Sequence, residues 1–231
     1  IYLDFLPNLE TIGGDCSLSV HSIIDLNKLK TVGGNFSTGA LSLEGLTSLE
    51  YVGGYFSVGS CKNFVGLSNL KRIDGVLYIS AGNNNFTSFQ GLNNLQQVGG
   101  FNFSVESQGA EVGREITSFN GLDNLERVLG NFIIEGSTYG PRNLISLEGL
   151  NVKEISGDLI IDNIRNLSDI SPLKKLDCVV KNITITHCES LYDFSPLVEM
   201  VKAMTGTWYV SGCGYNPTKY QMLNGESKPQ E

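Results

Sequence analysis

An acid, a base and a nucleophile held together are the minimum for most bond-breaking sites, and this 231-residue sequence supplies the last two sparingly. It has two histidines, His21 and His187, and five cysteines, Cys16, Cys61, Cys178, Cys188 and Cys213, against 24 acidic residues. His187 directly precedes Cys188, but successive residues of an extended segment point to opposite sides, so that adjacency makes no nucleophile and base pair. Neither a Cys-x-x-Cys pair nor a histidine-rich cluster occurs, so no metal site and no cofactor is expected. The odd number of cysteines leaves at least one thiol unpaired. Carboxylates are the chemistry that is left, and whether any of them act together depends on the frame that spaces them.

That frame is a repeat. The template Leu-x-x-Leu-x-x-Ile/Val-Gly-Gly-x-apolar-x-apolar recurs at residues 6–20, 26–38, 46–58 and 67–79 and returns at 92–105 with one extra residue after the glycine pair. It continues at 122–134 and 150–161 with the glycine pair degraded. In two weaker copies Pro172, Leu173 and Leu176 lead to Ile183 and Ile185, and Pro196, Leu197 and Met200 lead to Trp208 and Val210. Taking Cys16, Phe36, Phe56, Leu77, Phe103, Phe132, Leu159, Ile183 and Trp208 as the first inward strand residues, the mean period is 24 residues. So short a unit cannot bury its own apolar face, and its neighbours must stack on it to share one core.

The expected fold is therefore mainly β: a right-handed β-solenoid of about nine coils over residues 1–214, with parallel sheets and little helix, followed by a polar C-terminal cap and tail over 215–231. Segments such as Phe36-Ser37-Thr38 and Ile183-Thr184-Ile185 alternate with period two and supply one strand per coil. Stretches such as Leu41-Ser42-Leu43 and Leu144-Ile145-Ser146-Leu147 predict a second, less regular wall. The glycine pairs at 13, 33, 53 and 99 mark a corner where positive φ or close backbone approach excludes a Cβ. Residues 197–204 have helical spacing and predict a short helix in the last coil.

The pattern Leu-x-x-Leu-x-x-Ile-x-Gly-x-Leu-x-Ile, with a loop and then Leu-x-x-Leu-x-Gly-Leu, resembles the receptor L domain, the irregular leucine-rich β-solenoid of insulin- and EGF-receptor ectodomains. It also resembles leucine-rich-repeat proteins of microbial cell surfaces, whose Leu-x-Leu-x-x-Asn/Cys-x-x-Leu core is matched by residues 56–64 and 183–191. The resemblance implies an extracellular or cell-envelope protein, its export or lipoprotein signal removed, that binds a protein or glycan partner and catalyses nothing. The alternative is a β-helix carbohydrate-active enzyme, a polysaccharide lyase or hydrolase using carboxylates on one face.

Composition narrows the partner. With a net charge of −8 the bulk field repels nucleic acid and anionic lipid. No apolar run reaches the length of a membrane span, so this segment is not expected to insert in a membrane. The 41% of hydrophobic residues suffice for a sizeable core.

Rows along the stacked coils carry the candidate sites. Three residues after the inward marker stand Ser80, Glu106, Glu135, Asp162 and Thr186, so Glu106, Glu135 and Asp162 are expected to stack as like charges on adjacent coils. One residue after the marker stand Ser57, Tyr78, Ser104, Ile133, Ile160 and Thr184, which puts the apolar pair Ile133 and Ile160 on the outward face. Two polar insertions, residues 106–115 and 135–142, overhang these coils and bring Tyr139 and Arg142. The expected partner site is thus Glu106, Glu135, Asp162, Ile133, Ile160, Tyr139 and Arg142. Acids elsewhere, among them Glu44, Asp74, Glu126 and Glu154, fall at corners, where a solvated side chain is the default. Cys188 and Cys213 share one position on adjacent coils and are either bridged or two packed, reduced thiols. Sequons occur at Asn35, Asn85, Asn102, Asn166 and Asn182, where alternation alone generates several of them.

Overall fold

The structure is a computed structural model, and it describes residues 6–81, 86–105, 115–137, 141, 143–178 and 180–230. Among them, nine strands stack in register into one parallel ladder: β2 (Cys16–Leu18), β4 (Phe36–Thr38), β6 (Phe56–Val58), β7 (Arg72–Ser80), β8 (Gln97–Ser104), β10 (Phe132–Glu135), β12 (Leu159–Asp162), β13 (Ile183–Thr186) and β14 (Trp208–Ser211). From first to last they span about eight turns of a β-solenoid. The alternation predicted from sequence is what builds it: Phe36, Phe56, Leu77, Phe132, Leu159 and Ile183 point inward and are completely buried. Stacking equivalent residues stacks their rings, with Phe36 on Phe56 at 5.0 Å and Phe101 on Phe132 at 4.9 Å between centroids.

A second, shorter ladder precedes the glycine corner and contains β1 (Thr11–Ile12), β3 (Thr31–Val32), β5 (Tyr51–Val52), β9 (Arg127–Val128) and β11 (Glu154–Ile155). Strands β7 and β8 run through both ladders, with a register shift between Ile73 and Val76. The wall expected as the second is therefore the third, the ladder before the glycine corner having not been expected; it is irregular, as its looser alternation implies, and the pairs Ser22 with Ser42 and Ser146 with Asp169 are isolated bridges. The Leu-x-x-Leu spacing has a local cause. Backbone N–H groups of Leu29, Leu49, Leu70, Leu95 and Leu125 donate to the carbonyl three residues back, and a three-residue turn puts both leucines on the inner side.

Close approach, and not positive φ, accounts for the glycine pairs at 33, 53 and 99, whereas a Cβ on Gly13 or Gly14 of the first coil would meet nothing within 4 Å. A Cβ on Gly33 would stand 2.5 Å from the Gly13 carbonyl oxygen of the coil before. Positive φ belongs to a different series, Gly66, Gly91, Gly121 and Gly149, just ahead of the Leu-x-x-Leu turn.

Coil five departs from the expected register. Leu77 and Phe132 both pair with Phe101, so the inward marker there is Phe101 and everything after it shifts by two residues. Phe103 is also inward and fully buried, at the next inward position of the same strand.

Charged side chains reinforce the stacking. Lys30 pairs with Glu10 at 2.8 Å, Lys71 with Glu50 at 3.0 Å, Lys153 with Glu126 at 2.5 Å and Arg127 with Glu154 at 2.8 Å, each across one coil boundary. Asp74 accepts from Tyr51 Oη at 2.6 Å and from Arg72 Nε at 2.5 Å. Asp74, Glu126 and Glu154 are therefore paired, contrary to the solvated default. Exposed pairs of this kind contribute little stability each, but like charges directly opposite are unfavourable. The alternation Glu10, Lys30, Glu50, Lys71 thus opposes a slipped register.

A polar ladder lines the corner just before the inward marker. Oδ1 of Asp15 accepts from the Asn35 N–H at 2.7 Å, and Oδ1 of Asn35 from the Tyr55 N–H at 3.0 Å. Asn182 donates to Asp158 at 2.9 Å and accepts from the Thr207 N–H at 2.9 Å, so the side chain at this sequon links three coils. Asn182→Gln moves the amide one methylene outward and breaks both bonds. The expected loss is about 1 kcal/mol in urea denaturation, whereas a side chain serving only as a surface sequon would give no change.

The C-terminal segment is a packed cap and not only a polar tail. The expected short helix is α1 (Val198–Ala203), and α2 (Lys219–Leu223) follows the last strand, started by a capping box between Thr218 and Gln221. Met222 is fully buried against the end of the core. Trp208 Nε1 donates to the Pro217 carbonyl at 2.7 Å, and the Phe194 N–H donates to the Ser227 carbonyl at 2.9 Å, tying the cap to the last two coils.

Candidate functional site

Strands β10 and β12 carry the centre of the candidate site. Ile133 and Ile160 are direct partners on the outward face and are half-buried, because on a flat sheet each side chain shields its neighbour. Next to Ile133 on the other side stands Asn102, in place of the expected Ser104, and next to Ile160 stands Thr184. The same outward row holds Tyr78 at 42% exposure and Tyr209 at 53%.

The acidic row is shorter than the sequence suggested. Glu135 is in register with Asp162 on one side and with Ser104 on the other, a consequence of the two-residue shift in coil five. Glu106 is therefore not the ladder partner of Glu135. Glu106, Tyr139 and Arg142 themselves lie outside the described residues, as does most of the two insertions that carry them.

Asp162 is engaged by the following coil. Its Oδ1 accepts from Thr186 Oγ1 at 2.5 Å and lies 2.9 Å from His187 Nδ1. With the carboxylate ionised, Nδ1–H is the donor, which holds the imidazole in one orientation. Asn163 and His187 occupy the same place after their strands and both have positive φ, 58° and 52°; Gly212 follows on the next coil at 67°. Asn, His and Gly tolerate this left-handed turn better than most residues. The turn sends His187 outward, its side chain 65% exposed, and sends Cys188 into the core. Sequence reasoning missed the Asp162 and His187 pair because the residues are 25 apart. The signal was available: aligned on the marker, His187 is one place beyond Thr186, the ladder partner of Asp162.

All five cysteines are free thiols. Burial pushes the Cys16 thiol up, and that of Cys61 up to about 12. Burial also raises Cys178. The neighbouring Cys213 thiol raises Cys188, further raised by burial, and the neighbouring Cys188 thiol lowers Cys213.

The surface hollows are shallow grooves along the coil edges. One of about 730 Å³, between Glu126, Arg127, Lys153, Glu154, Lys175 and Asp177, is lined by alternating charges. Among the described residues no group of three His, Cys, Asp or Glu side chains is placed to hold a metal ion, and no helix is long and apolar enough to cross a membrane. No protein-family model matches the chain, and neither does any curated protein.

Proposed function

We propose that the protein is a non-enzymatic binding module of the leucine-rich, receptor L-domain-like kind, acting at an extracellular or cell-envelope surface and taking a protein or glycan partner on the outward face of its long ladder. The observation that carries this reading is the Ile133 and Ile160 pair, two branched apolar side chains in register where the strand pattern otherwise places polar groups. Hydroxyl and amide side chains at Ser57, Asn102 and Thr184 and the exposed Tyr78 and Tyr209 share that row. An apolar centre with a polar surround suits a partner that brings its own apolar group and hydrogen-bonding rim. Glu135 and Asp162 border the centre on one edge. The leucine-rich template supports the kinship and the location.

The test is an Ile133→Ser, Ile160→Ser double variant, compared with the intact chain on a glycan array and against extracellular proteins in pull-downs. Binding is expected to fall at least tenfold, corresponding to about 1.4 kcal/mol, with the circular dichroism spectrum unchanged. A folded double variant that binds as before would remove the apolar centre from the site. Turnover of a polysaccharide that vanished in Glu135→Gln or Asp162→Asn would replace the binding reading with the enzymatic one.

A further inference from the structure

Cys188 and Cys213 meet at the end of the solenoid. Strands β13 and β14 pair Thr186 with Ser211, the His187 N–H donates to the Ser211 carbonyl at 2.9 Å, and the Gly214 N–H to the Cys188 carbonyl at 3.3 Å. The ladder thus continues past the strands and holds the two cysteines at equivalent places, roughly 4.8 Å apart along the stack. That spacing lies within the Cα separation that a disulfide accepts, about 4.4–6.8 Å. Cys213 Sγ reaches the neighbouring coil, 3.6 Å from the Ile185 carbonyl and 3.7 Å from that of Ser211 on its own coil.

The two thiols differ in access. Cys188 is fully buried, its Sγ donating to the Thr186 carbonyl at 3.4 Å. Cys213 is only partly buried. Its thiolate is favoured first by the neighbouring Cys188 thiol; burial opposes this, and the Cys188 backbone and the nearby His187 support it. His187 is itself held by Asp162. The other four thiols are all raised.

We propose that Cys213 and Cys188 form a thiol–disulfide exchange site, Cys213 attacking and Cys188 resolving, which takes a low-molecular-weight disulfide as reactant and ends as a disulfide joining the last two coils. The Cys213 thiolate attacks one sulfur of the reactant, a mixed disulfide forms, and one thiolate leaves. Cys188 then gives up its proton and attacks the Cys213 sulfur, forming the bond between coils and releasing the second thiolate. The two protons lost by the cysteines end on the two released thiols; the protein is oxidised by two electrons and the small disulfide is reduced. His187, held by Asp162, favours the thiolate of the attacking sulfur. The product would staple the coil that carries the C-terminal cap.

The experiment treats the full, reduced chain with oxidised glutathione under native conditions and follows intact mass and tryptic peptides. The wild type is expected to lose two hydrogens, to keep no glutathione, and to yield residues 182–202 linked to residues 203–219. Cys188→Ser is expected to stop with glutathione retained on Cys213, and Cys213→Ser to react at least tenfold more slowly. His187→Gln is expected to slow the first step without preventing the link. Limiting iodoacetamide on the wild type, which needs no variant to fold, should label Cys213 before the other four. Adducts forming at Cys16, Cys61 or Cys178 as fast as at Cys213, or a wild type that retains glutathione on Cys213 without the link, would overturn the assignment.

Discussion

Phe101→Ala is expected to destabilise the protein by about 3–5 kcal/mol, read as a lower urea midpoint at an unchanged slope. Phe101 is fully buried, its ring lies 4.9 Å from that of Phe132 at an interplanar angle of 12°, and it also meets Phe89 and Phe119. Truncation removes one layer of a stack whose neighbours are fixed by strand pairing on both sides, so the hole cannot collapse. Because each coil contacts only its neighbours, the loss falls at the middle of the array and weakens the coupling of its two halves. Phe101→Leu, which keeps an apolar group at the position, should cost less. Equal midpoints for wild type and Phe101→Ala would mean that the coil-five register is not the one described.

Gly99→Ala is expected to cost about 3 kcal/mol or more, for the opposite reason. The added Cβ would land on the Asp74 carbonyl oxygen, a backbone atom that no rotamer change can move. Strands β7 and β8 would have to part at the corner where both ladders share them. Gly59→Ala is the control: a Cβ there meets nothing within 4 Å, and the change in stability should stay within about 0.5 kcal/mol. Thermal midpoints of the two variants separate steric exclusion at the corner from a general effect of losing glycine. If Gly99→Ala matched Gly59→Ala, the close approach of coils four and five would be wrong.

The sequence by itself determined the architecture. Leu-x-x-Leu specifies a three-residue turn with both leucines inside, Phe-x-Thr and Ile-x-Ile specify strands with one buried face, and the glycine pairs at 33, 53 and 99 mark where adjacent backbones touch. These signals are local and repeat at nearly constant spacing, which is why the solenoid, an irregular wall and a short helix in the last coil were legible, whereas the two-residue strands before the glycine corner are too short to show alternation and were not. Coil five shows the limit. Phe101 and Phe103 are both apolar and two residues apart, and alternation of period two fits either as the marker. Lateral hydrogen bonds to β7 and β10 made the choice, and with it replaced Glu106 by Ser104 in the acidic row. The same reason hid the most organised polar group. Asp162, Thr186, His187 and Cys213 lie on three different coils, and only the stacking of one coil on the next, which no single segment encodes, brings them together.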